Sequence, residues 1–324
     1  MGKFIVTGGA GFIGSHIAEK IVRDGHNVII IDDLTSGNVA NFKDWWNPNL
    51  CEHSYRSISN YESILPLFEG VDGVFHNAAS KCTVCMVDPL VDLVTNAYGT
   101  LNVCRAASIH GVKRVIHAST GSVKDGNPVS YYGNSKLAAE NYVKIMTKLD
   151  GMFNYTILRY YNVYGTRQNN SDTGGVIPIF IRNILDSKPI IIYGDGKQVR
   201  HFTTVSDVVK ANILAYTMNL SAYKTYNIVS DVTMSINELV KLICKVMGKT
   251  DYPIECRRWK PGDIRRFDVV NYDTKKDFNI TFDNDVEKNL YDIVKWYTDR
   301  HISEKSIHEE TRESERESQE GAKA

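Results

Sequence analysis

One short stretch near the start of the chain limits its fold more than any other. Lys3-Phe-Ile-Val-Thr-Gly-Gly-Ala-Gly-Phe-Ile-Gly-Ser15 reads as a strand, a glycine turn and the opening of a helix. Gly8, Gly11 and Gly14 recur every third residue. Gly8 permits a tight turn, Gly11 lets backbone approach a pyrophosphate, and Gly14 lets the helix lie close to the strand. The first turn of that helix would then aim free amides at the phosphates. A glycine triplet alone is a weak signal, but one that follows a strand and opens a helix is a dinucleotide signature. Asp32 ends the next predicted strand, where a carboxylate meets ribose hydroxyls and repels a 2′-phosphate. That selects NAD over NADP.

The rest of the first half keeps the same rhythm. Short apolar runs at Phe4–Val6, Val28–Ile31, Val74–Phe75, Val115–His117 and Tyr155–Leu158 have the look of buried parallel strands. Amphipathic stretches at Ile13–Arg23, Tyr61–Phe68, Val91–His110 and Ser135–Lys148 separate them. This alternation predicts an α/β fold, a doubly wound parallel Rossmann sheet with ligands beyond the carboxyl ends of its strands. After residue 165 turn signals crowd in and the helices shorten, at Ile177–Leu185, Asp207–Tyr216 and Ile236–Val246. The expected division is therefore a cofactor domain over 1–165, a smaller C-terminal α/β substrate lobe over 166–302 and a charged tail over 303–324. The tail is rich in Glu, Ser, Arg and Lys without an aromatic residue, so it should be disordered or a frayed continuation of a helix over Val286–His301.

Composition narrows the class of function. Lys plus Arg equals Asp plus Glu at 38 each, and no basic block stands out, which argues against nucleic acid as the partner. No apolar run approaches the length of a membrane span, and the N-terminus lacks the form of a signal peptide. Six cysteines in 324 residues suggest reduced thiols in the cytoplasm.

The catalytic signal is Tyr132-Gly-Asn-Ser-Lys136. Four residues apart on a helix, phenol and ammonium share a face. A phenol has an ordinary pKa of about 10, and a neighbouring cation favours the phenolate, bringing it toward use as a base.

With these residues in place the chain resembles an extended short-chain dehydrogenase/reductase, of the NAD-dependent epimerase/dehydratase family that includes UDP-hexose 4-epimerases. Matching stretches run from Thr7 to about Asp273. They are Thr7–Ser15, Asp32–Gly37, His76–Ala79, Asn96–Thr100, Ser119-Thr120, Tyr132–Lys136, Arg159–Gly165, Gly194–Arg200 and Pro261-Gly-Asp263. The resemblance implies Tyr132 as the acid/base, Lys136 as its cationic neighbour and the holder of the nicotinamide ribose, and Thr120 as a partner of the reacting hydroxyl. It places Gly8, Gly11, Phe12, Ile13, Gly14, Asp32, Ser57, Ile58, Ala78, Ala79, Lys81 and Asn96 around NAD. It places Cys82, Ser122, Asn162, Val176, Arg200, Lys260 and Asp263 around a UDP-sugar, with Arg200 on the diphosphate. Lys260 stands where relatives commonly have arginine. No metal is implied, and a homodimer built on the helices Val91–His110 and Ser135–Lys148 is.

Three departures qualify the resemblance. Thr120 is followed by Gly121-Ser122 instead of the acid pair of relatives that dehydrate a hexose, and the glutamate of a UDP-glucuronate decarboxylase is missing too. The segment from Thr120 to Tyr132 is shorter than in most relatives. Cys82-Thr-Val-Cys85 lies where relatives contact the sugar; it is either apolar filler or a thiol acting on substrate. His76 and His117 read as structural, and Tyr131 should point off the active face. The leading expectation is a UDP-hexose or UDP-N-acetylhexosamine epimerase working through a transient 4-keto sugar. The alternatives are an oxidoreductase, dehydratase or C5-epimerase making a 4-keto sugar for surface glycans, and, third, an NAD-binding regulator.

Overall fold

The computed structural model describes residues 1–81, 84, 86–151, 153–259, 264–266 and 268–321, without the side chains of 124, 125, 150 and 304–321. Six parallel strands carry the site: β1 (Lys3–Thr7), β2 (Asn27–Asp32), β3 (Cys51–Tyr55), β4 (Gly73–His76), β5 (Arg114–Thr120) and β6 (Asn154–Tyr160). A seventh, Lys224–Ile228, pairs in parallel with β6. Across the sheet the order is Lys224–Ile228, β6, β5, β4, β1, β2, β3. Chain direction reverses its progress between β1 and β4, which opens the crevice where ligands bind in such sheets.

The central strands β1, β2, β4, β5 and β6 feed both faces, as a period of two requires. Phe4, Val6, Val28, Ile30 and Leu158 enter one core, with Ile17 and Ile21 of α1 (Phe12–Arg23) and Val208 of the helix Val205–Thr217. Ile5, Ile29, Ile31, Val74, Val115 and Ile157 enter the other. That second core is closed by α2 (Tyr61–Ile64), by Val103 and Ala107 of α4 (Gly99–Ile109) and by Val143 of α5 (Tyr131–Asp150). Between α3 (Pro89–Asp92) and α4 the backbone widens into a π-helical turn, Leu93–Tyr98. The single helix expected over Val91–His110 is thus three pieces. Ser130 caps α5 by accepting from the Gly133 amide at 3.1 Å, so that helix starts before Tyr132.

The single cut expected at residue 165 is corrected to an interleaved division. One compact unit comprises 1–168, 198–234 and 260–284; the other comprises 169–197, 235–259 and 285–324. The physical reason is the sheet: the strand Lys224–Ile228 completes it, and the helix Val205–Thr217 covers the same face as α1, so both belong to the larger unit. In the smaller unit the helices Val176–Leu185, Ile236–Val246 and Val286–Gly321 pack together beside the paired strands Ile190–Tyr193 and Ile254–Arg257. The helix Val286–Gly321 continues through most of the tail for which disorder was one expectation.

Candidate active site

The turn after β1 is built backbone against backbone. Gly8 has φ of 66°, a region L side chains rarely enter, and its amide donates to the Ile31 carbonyl at 2.8 Å. A Cβ on Gly8 would lie 2.8 Å from the Ala78 backbone, and one on Gly14 would lie 2.1 Å from the Gly8 carbonyl oxygen. Gly11 donates to that same carbonyl at 3.0 Å. No side chain caps α1, so Phe12 and Ile13 present the positive end of the helix to whatever fills the cradle. Asp32, 7% exposed, receives the Ala10 amide on one oxygen and the Leu34 amide on the other, both at 2.9 Å. Burial raises its pKa, and a lone pair on each oxygen is left for a diol. Ile58 is buried against Gly99, and Asn102 holds the Ile58 carbonyl at 3.1 Å, fixing the segment that contains Ser57. A tight glycine turn, an uncapped helix and a diol-binding carboxylate fit a dinucleotide.

The candidate reactive face lies at the end of β5 and the start of α5. Thr120 is the last residue of β5; its Oγ1 accepts from the Ser122 amide at 3.2 Å and sits 3.3 Å from the Ser122 hydroxyl. Tyr132 is half-buried, while Tyr131 is 62% exposed and turned outward. Lys136 is 2% exposed; burial pulls its pKa down to about 8, with Glu140 and Asp92 opposing the fall. Lys81, also partly buried, is lowered for the same reason. The Tyr161 ring lies directly over Gly121, where a Cβ would come within 2.2 Å of it.

Two polar networks that sequence reasoning missed support this face. Glu140, fully buried, receives Arg159 in a fork at 2.8 and 2.9 Å and the Ser119 hydroxyl at 2.7 Å. Burial alone would raise the Glu140 carboxyl; Arg159 and Ser119 outweigh it and hold the pKa below the ordinary range. Asp92, Asn96, Ser135 and Ser80 form the second network. A YxxxK pattern reports its own face, whereas Arg159, Ser119, Asp92, Asn96 and Ser80 come to these networks from elements other than α5. His76 bridges Thr7 (2.7 Å) and Thr100 (2.9 Å), while His117 is packed 5.2 Å from it, ring to ring.

The remaining candidates are distributed. Ala78 donates to the Thr7 hydroxyl at 3.1 Å, and Ala79 follows it in the loop after β4. Asn162 is exposed with φ of 39°, and its carbonyl accepts from Thr203 at 3.4 Å. Arg200, in the same unit, directs Nη1 to the Val199 carbonyl at 2.9 Å. Val176 begins a helix of the smaller unit. Cys82, Cys85, Lys260 and Asp263 lie outside the described residues.

Known proteins share both sequence and architecture with this chain. The model of the NAD dependent epimerase/dehydratase family matches residues 4–229. The chain is 32% identical over 285 residues to a UDP-glucose 4-epimerase of Mycolicibacterium smegmatis, covering 83% of this chain and 90% of that protein. It is 37% identical over 256 residues to a UDP-N-acetyl-alpha-D-glucosaminuronate decarboxylase of Bacillus cytotoxicus, covering 74% and 78%. The crystal structure of a UDP-glucose 4-epimerase from Thermotoga maritima with UDP-glucose superposes with a TM-score of 0.86 at 31% identity, over 92% of this chain and 99% of that one. The chain belongs to the NAD-dependent epimerase/dehydratase family and is an enzyme of the extended short-chain dehydrogenase/reductase type, with NAD as its cofactor and nucleotide sugars as the substrates of its kind.

Proposed function

We propose that the protein is a UDP-hexose or UDP-N-acetylhexosamine 4-epimerase. The observation that carries this reading is the end of β5. Thr120 and Ser122 offer hydroxyls, Gly121 offers nothing, and the Tyr161 ring takes the space above it. A site for reversible oxidation needs a base and hydroxyl partners; elimination from the next carbons needs acids that these positions lack. The M. smegmatis relative and the T. maritima structure support UDP as the nucleotide.

In this reading Tyr132 accepts the C4 hydroxyl proton and later returns it, and Thr120 holds the hydroxyl. Lys136 stabilises the phenolate and would hold the nicotinamide ribose. Gly8, Gly11, Phe12, Ile13 and Gly14 would hold the pyrophosphate, Asp32 the adenosine ribose, and Ser57 and Ile58 the adenine end, with Ala78, Ala79, Lys81 and Asn96 lining the remainder. Bound NAD supplies what no side chain here offers, reversible exchange of hydride with the sugar carbon. Ser122 and Asn162 would line the sugar, and Arg200 would meet the diphosphate as a fork.

The family reading extends to a homodimer in the cytoplasm. Leu90, Val91, Val94 and Tyr98 on one helical stretch, and Tyr142, Ile145 and Leu149 on α5, are exposed apolar residues of the size an isologous interface buries. No described helix is long and apolar enough to cross a membrane.

Incubation with UDP-glucose, UDP-N-acetylglucosamine and UDP-glucuronate, followed by NMR of the products, tests the reaction. A C4 epimer of one of them is expected. A 4-keto-6-deoxy sugar, or loss of carbon dioxide, would replace the epimerase with a dehydratase or decarboxylase.

A further inference from the structure

We propose that Asn41 is a positioning residue for the cofactor: its side-chain amide holds the Ala10 carbonyl out of the helical ladder of α1 and so keeps the N-terminus of that helix open to the pyrophosphate. This rests on the reading of the glycine turn as the seat of NAD. Ala10 lies in the middle of the turn, fully buried, and both its amide and its carbonyl are engaged. The amide donates to Asp32 at 2.9 Å. The carbonyl oxygen accepts from the Asn38 amide and from Asn41 Nδ2, each at 2.9 Å. A carbonyl can only accept, so Asn41 must present its NH2 there.

Those two donors determine where α1 begins. In a helix that ran one residue further back, the Ala10 oxygen would accept from the Gly14 amide. Instead Gly11 is extended, with φ of −78° and ψ of −178°, and the ladder starts with the Ser15 amide on the Gly11 carbonyl at 3.1 Å. The peptide between Ala10 and Gly11 is planar, so turning the Ala10 oxygen toward Asn41 turns the Gly11 amide the opposite way, onto the Gly8 carbonyl at 3.0 Å. The amides of Phe12, Ile13 and Gly14 are left for a ligand.

Asn41 is itself held from outside the turn. It closes the short helical turn Val39–Asn41, which Asn38 caps by accepting from the Ala40 amide at 2.9 Å. Its own carbonyl accepts from Trp45 Nε1 at 3.0 Å. Phe42, next in the chain, is buried in the same core as Ala10 and lies 5.2 Å, ring to ring, from Trp46. Where the loop passes Gly37, a Cβ would lie 2.6 Å from Asp32 Oδ1 and 2.9 Å from the Ala10 Cβ, so the loop is pressed on the turn before Asn41 as well as at it.

The test variant is Asn41→Asp, which preserves shape but sets an acceptor against the Ala10 oxygen. Calorimetric titration of NAD into stripped protein should show affinity lower by about tenfold, the upper end of what one hydrogen bond contributes, while kcat at saturating NAD stays at the parent value. Val22→Ala, a truncation in the same core at the far end of α1, is the comparison for a general loss of packing and should leave NAD affinity unchanged. The second readout needs no cofactor: hydrogen–deuterium exchange of NAD-free protein, in which the peptide spanning Thr7–Phe12 should exchange faster in Asn41→Ala than in the parent or in Val22→Ala. NAD affinity of Asn41→Asp within about twofold of the parent, or an equal loss in Val22→Ala, would overturn the proposal. If Asn41→Asp does not fold, Asn41→Ala carries both measurements, and unchanged exchange across the turn overturns it as well. If Gly14→Ala, which crowds the turn directly, leaves NAD affinity untouched, the seat of NAD has been misread, while exchange still judges the hold of Asn41 on the turn.

Discussion

Gly14→Ala is the sharpest perturbation of the cofactor cradle. The added Cβ would sit 2.1 Å from the Gly8 carbonyl oxygen, 2.8 Å from its carbon and 3.0 Å from the Gly9 Cα. A relaxed carbon–oxygen contact is about 3.3 Å, so turn and helix must part by about 1 Å. Nothing nearby gives way easily, because the obstacle is backbone. Gly8 is tied to Ile31 at 2.8 Å and to the Gly11 amide at 3.0 Å, and its other side faces the Ala78 backbone. Overpacking of this kind costs about 1–3 kcal/mol of stability. The larger loss falls on NAD, because a displacement of about 1 Å breaks amide–phosphate bonds worth about 1.5–3 kcal/mol each. Two such bonds lost weaken binding by about 100-fold or more. Calorimetric titration of NAD into stripped protein reads this directly. Gly25→Ala is the control: its φ is 81° but nothing lies within 4 Å of its Cβ, so it strains the backbone without touching the cradle. NAD affinity of Gly14→Ala within threefold of the parent would refute the reasoning.

Three further outcomes follow from the same structure. Tyr132→Phe should keep fold and NAD binding while turnover falls by about 10²- to 10⁴-fold, the usual contribution of a general base; near-parent turnover at equal NAD occupancy would move the base elsewhere. Arg159→Met leaves the buried Glu140 charge without its fork and should cost about 3–5 kcal/mol by denaturant unfolding. Because the folded Glu140 pKa is depressed, its stabilisation is present above the unfolded carboxyl pKa and is lost as pH falls through the folded one. Acid unfolding of Arg159→Met should therefore begin at a higher pH than in the parent, and an unchanged acid midpoint would contradict the assignment. Ile145→Glu places a charge on the exposed face of α5, 52% exposed at that position, and should give a monomer by light scattering if that face is the dimer interface.

What could be read from the sequence was what neighbours along the chain determine. β1, its glycine turn and α1 were legible because turn chemistry and helix start are local. The buried central strands announced themselves as apolar runs. The edge strands did not: Cys51-Glu-His-Ser-Tyr55 buries only Cys51 and Ser54, and Lys224–Ile228 carries lysine, threonine and asparagine. A strand at the border of a sheet has one neighbour and little apolar content to betray it. Tyr132 and Lys136 were readable as a pair one helical turn apart. Asp92 and Ser135 were not, because they meet across 43 positions of sequence. The π-helical turn that delivers Asn96 also lacks a sequence signature, since it depends on how the flanking helices pack.

The interleaving of the two units bears on the order in which the molecule can assemble during synthesis. Every strand of the main sheet has left the ribosome before residue 285 is made. The smaller unit must wait, because Val286, Leu290, Ile293 and Tyr297, all buried, belong to the helix that packs on Val176–Leu185 and Ile236–Val246. Until then those two earlier helices have apolar faces without their cover, and chaperones that hold nascent chains have their clearest target here. Vectorial folding would thus finish the cofactor cradle first and the second unit last, a sequence of events that pulsed proteolysis of arrested chains can follow.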